Sequence, residues 1–210
     1  MYDSKGRARI ISTSGKGPKY VQKGLREKLL CPECEQVINV YESYFKAFWY
    51  DKPALPRTVR RREFVVGSID YAKFKLFHLS VLWRAGASSR VYPDVSLGSH
   101  SSRIRQMLLC GDPGPQHHYP FGGLLTVDHE GTVQLEAVTP PYSFKYKRFS
   151  VYAWRYAGCE WHYFVSRRRS LRIPFQALLP RGDLVLPVIP FTQGLVFEAF
   201  ADDRRRSTRH

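Results

Sequence analysis

From Tyr119 onward the apolar residues change period, and no other feature constrains the fold as much. Before that point they recur at steps of three and four, as on one face of a helix; after it they alternate, as in strands. Over Glu35 to Trp49, the residues Val37, Tyr41, Tyr44, Phe45 and Phe48 share one helical face, and Asp51-Lys52-Pro53 ends the run. A second helix is expected from Ser68, as N-cap, to about Ala85, with Tyr71, Phe74, Phe77, Val81 and Leu82 on or near one face. A third is expected from a Ser99 cap through Leu109, with Ile104, Met107 and Leu108 inward, before the stop Cys110-Gly111-Asp112-Pro113-Gly114-Pro115.

In the second half, Phe121 to Val127 and Thr132 to Val138 read as strands around the turn Asp128-His129-Glu130-Gly131. Arg148 to Tyr156 and Glu160 to Val165 alternate around Ala157-Gly158, a second hairpin signal. Leu184 to Ile189 and Leu195 to Phe200 read as two more strands, interrupted by Pro187 and Pro190. Near the start, Ala8 to Thr13 and Gly24 to Leu30 read as a hairpin, and residues 51–67 read as a connector. The expectation is an α+β fold, with an N-terminal hairpin, a Cys-x-x-Cys knuckle and helices packed with a C-terminal antiparallel sheet. The organisation expected is a hairpin, knuckle and helical region over 1–115, an antiparallel β region over 116–203, and a basic disordered tail over 204–210.

Charge narrows the partner. The chain carries 33 Lys and Arg against 18 Asp and Glu, a formal +15. Such an excess points to a polyanion, and so to nucleic acid, with DNA favoured, because each phosphate contact releases a condensed counterion. No apolar run approaches the roughly 20 residues of a membrane helix, so no membrane partner is expected. Met1 to Gly6 contains no apolar signal segment, and four cysteines in 210 residues point to a reducing, cytoplasmic setting.

The stretch Leu29-Leu30-Cys31-Pro32-Glu33-Cys34-Glu35 is a Cys-x-x-Cys knuckle opening a helix, the arrangement that offers two thiolates to one zinc ion. A structural zinc needs four donors, and the chain has no second such pair. Cys159 and His162 are the leading candidates to complete a Cys3His site. Cys110 with His117 and His118 is a second set, and a site shared between two copies a third.

Phosphate contacts are expected from Arg57, Arg60, Arg61 and Arg62, from Arg167, Arg168 and Arg169, and from Lys145, Lys147 and Arg148. The last group lies among Tyr142, Phe144, Tyr146 and Phe149, the interleaving of cations and rings that can hold a backbone and stack bases. The bland alternative is a half-buried strand with one solvated face. Arg84, ending an apolar helix, needs a carboxylate, with Asp94 and Asp112 as candidates. His78, His100 and His129 are the remaining general-base candidates, and His100 would have its pKa lowered by a helix N-terminus. No Gly-rich phosphate loop, nucleophile elbow or paired-carboxylate motif is present.

The run Tyr20-Val21-Gln22-Lys23-Gly24-Leu25-Arg26-Glu27-Lys28-Leu29-Leu30-Cys31-Pro32-Glu33-Cys34-Glu35 resembles a family of uncharacterised bacterial and phage proteins. So do Tyr71 to Ala85, Val95 to His100 and Ile104 to Leu109. That family is similar to the treble-clef zinc module of His-Asn-His (HNH) nucleases, in which one knuckle precedes a hairpin bearing the catalytic His and a second opens the helix. The resemblance covers roughly residues 20 to 115 and matches Cys31 and Cys34 to the second knuckle. The first knuckle and the His have no match in this chain. Arg26 stands near where such nucleases place Asn, and Glu35 near where many carry a further His or Asn. The resemblance implies zinc affinity and a truncated treble clef that binds nucleic acid without a complete nuclease site. The alternatives are a metal-dependent HNH-like endonuclease whose chain begins too late, and a protein-interaction component of a phage or defence operon.

Overall fold

The computed structural model describes residues 8–10, 19–21, 27–52, 54–169, 171, 173 and 178–194. Pro32 sits in the first turn of α1 (Pro32–Lys46), where its missing N–H costs nothing, and Glu33 and Glu35 complement the helix dipole. Ile38, Tyr41 and Phe45 form its buried stripe, and a π-helical turn over Ala47–Asp51 extends it. Trp49 of that turn is buried, stacks on Phe45 and donates from Nε1 to the Ala157 carbonyl at 3.0 Å.

α2 (Tyr71–Ala87) starts two residues later than a Ser68 cap would have it. Asp70 is the cap, its carboxylate accepting from the Lys73 N–H at 3.1 Å, while Ser68 sits in a left-handed turn at φ 59°. This helix is buried nearly all round, including Lys75, His78 and Ser80, because α1 and α3 (His100–Cys110) flank it and the sheet backs it. Gly111 closes α3 in the left-handed conformation, φ 67°, so the Asp112 N–H can reach back to the Met107 carbonyl.

A two-stranded antiparallel pair joins β1 (Ala8–Ile10) to β2 (Lys19–Val21). Of the partner strand expected at Gly24 to Leu30, residues 27–30 carry no strand, while residues 11–13 and 22–26 lie outside those described. The main sheet contains β3 (Glu63–Val66), β4 (Phe121–Val127), β5 (Tyr142–Tyr146), β6 (Phe149–Tyr156), β7 (Cys159–Val165) and β8 (Leu184–Pro190), in the order β3-β8-β4-β7-β6-β5.

The fold is α+β, and the sheet is mixed rather than antiparallel, since β4 and β8 run parallel. β7 pairs Phe121 to Leu125 of β4, the Gly158 carbonyl accepts from the Thr126 N–H on the same edge, and β8 pairs Leu125 to Val127 on the other. The strand expected at Thr132 to Val138 is therefore reduced to bridges at Thr132 and Val133. The connector expected over 51–67 holds β3, whose Phe64 and Val66 pair with Leu186 and Leu184. The strand expected from Arg148 starts at Phe149, because Lys147 and Arg148 form a tight turn back to β5, with Lys147 at φ 55°. The Ala157-Gly158 turn is as expected, with φ values of 54° and 80°, the mirror-image geometry that matches strand twist. The strand expected at Leu195 to Phe200 and the tail at 204–210 lie outside the described residues.

One core runs through both expected regions, from Ile38 of α1 through Phe74, Leu79 and Leu82 of α2 to Phe121, Leu125, Trp161, Tyr163 and Leu186 of the sheet. Among the described residues no helix is long and apolar enough to cross a membrane.

Candidate functional site

The chemistry-bearing residues fall into three settings: a knuckle at the surface, polar clusters sealed in the core, and a cationic end of the sheet open to solvent. The knuckle comes first. Cys31 precedes α1 as an exposed N-cap, and Cys34 sits half-buried in the first turn, where Arg105 of α3 reaches its Sγ at 4.0 Å. Among the described residues, no three His, Cys, Asp or Glu side chains gather where they could hold a metal ion. Two thiols beside a guanidinium, itself repelled by a divalent cation, do not by themselves meet zinc's demand for four donors.

The expected completion by Cys159 and His162 is not what the fold builds. Three residues apart on one strand, they point to opposite faces of the sheet. Cys159 is fully buried on the helix side, where burial pushes its thiol pKa up. His162 is on the other face, with its Nε2 2.9 Å from Glu160 Oε1. Cys110 is exposed at the end of α3 and forms no such group with His117 and His118, whose rings are 4.7 Å apart.

Two polar clusters back onto the central strands. On the helix side, His78 of α2 is completely buried, with its Nδ1 2.7 Å from Tyr163 Oη and 2.9 Å from Tyr156 Oη. Burial drives the His78 pKa well below its usual value and the Tyr156 and Tyr163 pKa values well above theirs, so all three stay neutral. On the far face, Arg155 donates from Nε to Glu160 Oε2 at 3.0 Å, and its Nη1 and Nη2 donate to the carbonyls of Phe191 and Gln193. Burial raises the Glu160 pKa, but the His162 and Arg155 interactions outweigh it and hold the carboxyl below its ordinary range. His78 and Tyr163 of the first cluster and Arg155, Glu160 and His162 of the second are buried, and both clusters read as structural. Arg84 likewise finds its carboxylate in Glu42 of α1, not in Asp94 or Asp112.

The open setting lies where β7 and β5 end and β4 and β6 begin. The β6–β7 register places Ser150 opposite Val165, so the β5–β6 turn and the segment after β7 leave the sheet side by side. Lys147 lies over the Tyr146 ring at 5.4 Å, and Arg148 over the Phe149 ring at 5.5 Å. Lys145 donates to Ser150 Oγ at 2.8 Å. Arg167, Arg168 and Arg169 are exposed. Next to them the Tyr119 N–H bonds the Ser166 carbonyl at 2.6 Å, and Tyr119 Oη lies 3.1 Å from His100 Nδ1 at the start of α3.

Arg103 of α3 joins this neighbourhood. After burial, the charges of Arg167 and Arg103 hold the His100 pKa down; burial, His117, Arg167, Lys75 and Arg103 do the same to His118. For His100, expected from sequence to feel the helix dipole, the causes are burial first and then the two guanidiniums. Among the described residues none of these Arg and Lys side chains is ion-paired with a carboxylate. Reading the sequence by charge runs missed Arg103 because the α3 pattern Ser-Ser-Arg-Ile-Arg has no consecutive cations; only the packing of α3 lets Arg103 act on the same histidines as Arg167.

The remaining candidates are elsewhere. Arg57, Arg60, Arg61 and Arg62 are exposed, but they precede β3, the opposite edge strand from β5, and Arg62 lies by Val188 near the opposite end. At ~4.8 Å per strand the two edges of the sheet stand roughly 24 Å apart, so the basic runs form two surfaces, not one. His129 is solvated in its turn, 3.9 Å from Glu130.

No family model matches the chain, and neither a curated protein nor a solved structure matches it.

Proposed function

We propose that this protein binds nucleic acid, with DNA favoured, through the cationic end of its sheet: Lys145, Lys147, Arg148, Arg167, Arg168 and Arg169. The observation that carries the reading is the convergence of these two basic runs on one solvent-open end, without ion pairing to any described carboxylate. A phosphate backbone satisfies several such cations at once, and their released counterions drive the association. Tyr146 and Phe149, held under Lys147 and Arg148, give the turn a flat, cation-topped surface suited to a strand with stacked bases. The Arg57 to Arg62 run is a secondary contact for a duplex long enough to span the sheet. The chemistry proposed is binding; the buried His78 and His162 each have one ring nitrogen engaged inside the core, by Tyr163 and by Glu160. Four free cysteines suit a reducing, cytoplasmic setting. Among the described residues Cys31 and Cys34 have no further donors beside them, so zinc held there would take its other ligands from elsewhere in the chain, a second copy or a partner.

The test is fluorescence anisotropy with labelled duplex and single-stranded DNA across a salt series. Wild type should bind with a steep negative slope of log K against log salt. Reversing Arg167, Arg168 and Arg169 to Glu should weaken binding by about 100-fold and flatten the slope by roughly 3. A folded wild-type protein with no affinity for either form at low ionic strength would sink the reading.

A further inference from the structure

We propose that His100, Arg103, His118 and Arg167 hold a phosphomonoester dianion, and that it is carried on the phosphorylated end of a nucleic-acid strand. The source rests on the function proposed above; the phosphate site does not. Three separate parts of the chain contribute: α3 supplies His100 and Arg103, the segment before β4 supplies His118, and the segment after β7 supplies Arg167. His100 is oriented by Tyr119 at 3.1 Å, and Tyr119 is in turn tied to Ser166, the neighbour of Arg167, so the parts are held in register by hydrogen bonds.

The site is built from side chains. The first N–H groups of α3 are already used, His100 N–H by the Leu97 carbonyl at 3.0 Å and Ser101 N–H by the Gly98 carbonyl at 3.2 Å. Lys75 of α2 stands behind His118 with its Nζ donated to the Pro115 carbonyl at 2.8 Å and to Tyr71 Oη at 3.1 Å. Asp112 is the carboxylate that acts on Lys75, and its Oδ1 is taken by the Gly114 N–H at 2.8 Å. His117 adds a further imidazole beside His118. The local field is therefore positive, and behind burial the cations add to the depression of the His100 and His118 imidazoles.

A dianion reverses that field. It pairs with both guanidiniums, and it lets His100 and His118 take up protons and become donors themselves. An internal phosphodiester carries one charge; a terminal phosphate carries close to two at neutral pH, so the end of a strand fits better than its middle. Binding by this route takes up protons, and affinity for the phosphate should rise as pH falls from about 8 toward 7, above the range in which the phosphate itself loses its second charge.

Two measurements test this. In the first, inorganic phosphate at tens of millimolar is titrated into the full chain while the histidine ring protons are followed by NMR. The His100 and His118 signals should move together, and their titration midpoints should rise; His129, in its solvated turn, should not respond. In the second, one oligonucleotide is compared with a 5′-phosphate, a 3′-phosphate and hydroxyl ends. A phosphorylated end should bind about tenfold tighter than hydroxyl ends, and in Arg103→Gln or His118→Gln that ratio should fall to about one. These side chains are exposed or half-buried, so both variants should fold, checked by circular dichroism. Ring shifts with phosphate but no preference among oligonucleotides would support the site and overturn the strand end as its occupant. Unmoved histidines together with equal affinity for all three oligonucleotides would overturn the site, even if the chain binds DNA.

Discussion

His78 and His118 both hold a proton less tightly than an ordinary imidazole, and the causes differ. For His78 the cause is burial alone, in a shell of Phe74, Phe121 and Trp161 with two tyrosine hydroxyls at its Nδ1. For His118 burial is joined by the charges of His117, Arg167, Lys75 and Arg103. A sealed histidine can only be neutral, and no ligand can change that without opening the core. A histidine held down by facing cations is responsive, because an anion or salt relieves it. The sealed interior should answer to unfolding, and the cationic end to ionic strength.

The interior should show the largest effects. Glu160→Gln would leave Arg155 buried without its carboxylate, and should cost about 3–5 kcal/mol in urea unfolding. Acid comes next. The folded-state pKa of His78 lies below its unfolded value, so the unfolded chain takes the extra proton first. Its contribution to stability is complete above about pH 6.5 and should fall by up to about 1.4 kcal/mol per pH unit below that. Urea midpoints between about pH 7.5 and 5 check this, and a His78→Phe variant that kept the full acid slope would refute the assignment.

Gly194→Ala should destabilise by about 1–3 kcal/mol, because its Cβ would stand 2.5 Å from Glu160 Oε2 at a backbone φ of 101°. Tyr163→Phe should cost about 1 kcal/mol by removing a hydroxyl from His78 and Tyr156, without altering the acid slope much. The smallest effect distinguishes the regions most cleanly. Raising salt to ~1 M, or Arg103→Gln, should lift the NMR midpoints of His100 and His118 by a few tenths of a unit, whereas His78 should not respond. A His78 midpoint that followed salt would show that the core is not sealed.

Much of the fold was legible residue by residue. Tyr41, Phe45, Phe74, Leu82, Ile104 and Leu108 stand at helical spacing and are all buried, because a helix on a sheet has one way to hide a stripe. The Ala157-Gly158 turn was legible because few sequences accept two positive φ values in a row. β3 was not, since Arg60-Arg61-Arg62-Glu63 reads as a solvated loop and only pairing with β8 makes a strand of Glu63 to Val66. The strand expected over Thr132 to Val138 failed for the converse reason: its alternation is adequate, but β7 and its turn take the edge of β4 that it would follow, with Leu125 paired to Cys159 and the Thr126 N–H bonded to the Gly158 carbonyl. Of the candidate site, the basic runs were legible as charge. Their division into two surfaces, and the inclusion of Arg103 and His118, were not.

The sequence by itself determined the class of the fold, the positions of the three helices and the net positive charge. These depend on periodicity, capping and composition, which are local quantities. Tertiary structure alone decided that Cys159 and His162 face opposite ways, that Arg84 meets Glu42, and that Arg103 and Arg167, 64 positions apart by their numbers, act on the same two histidines. Strand order and helix packing set those contacts, and neither leaves a local signature in the chain.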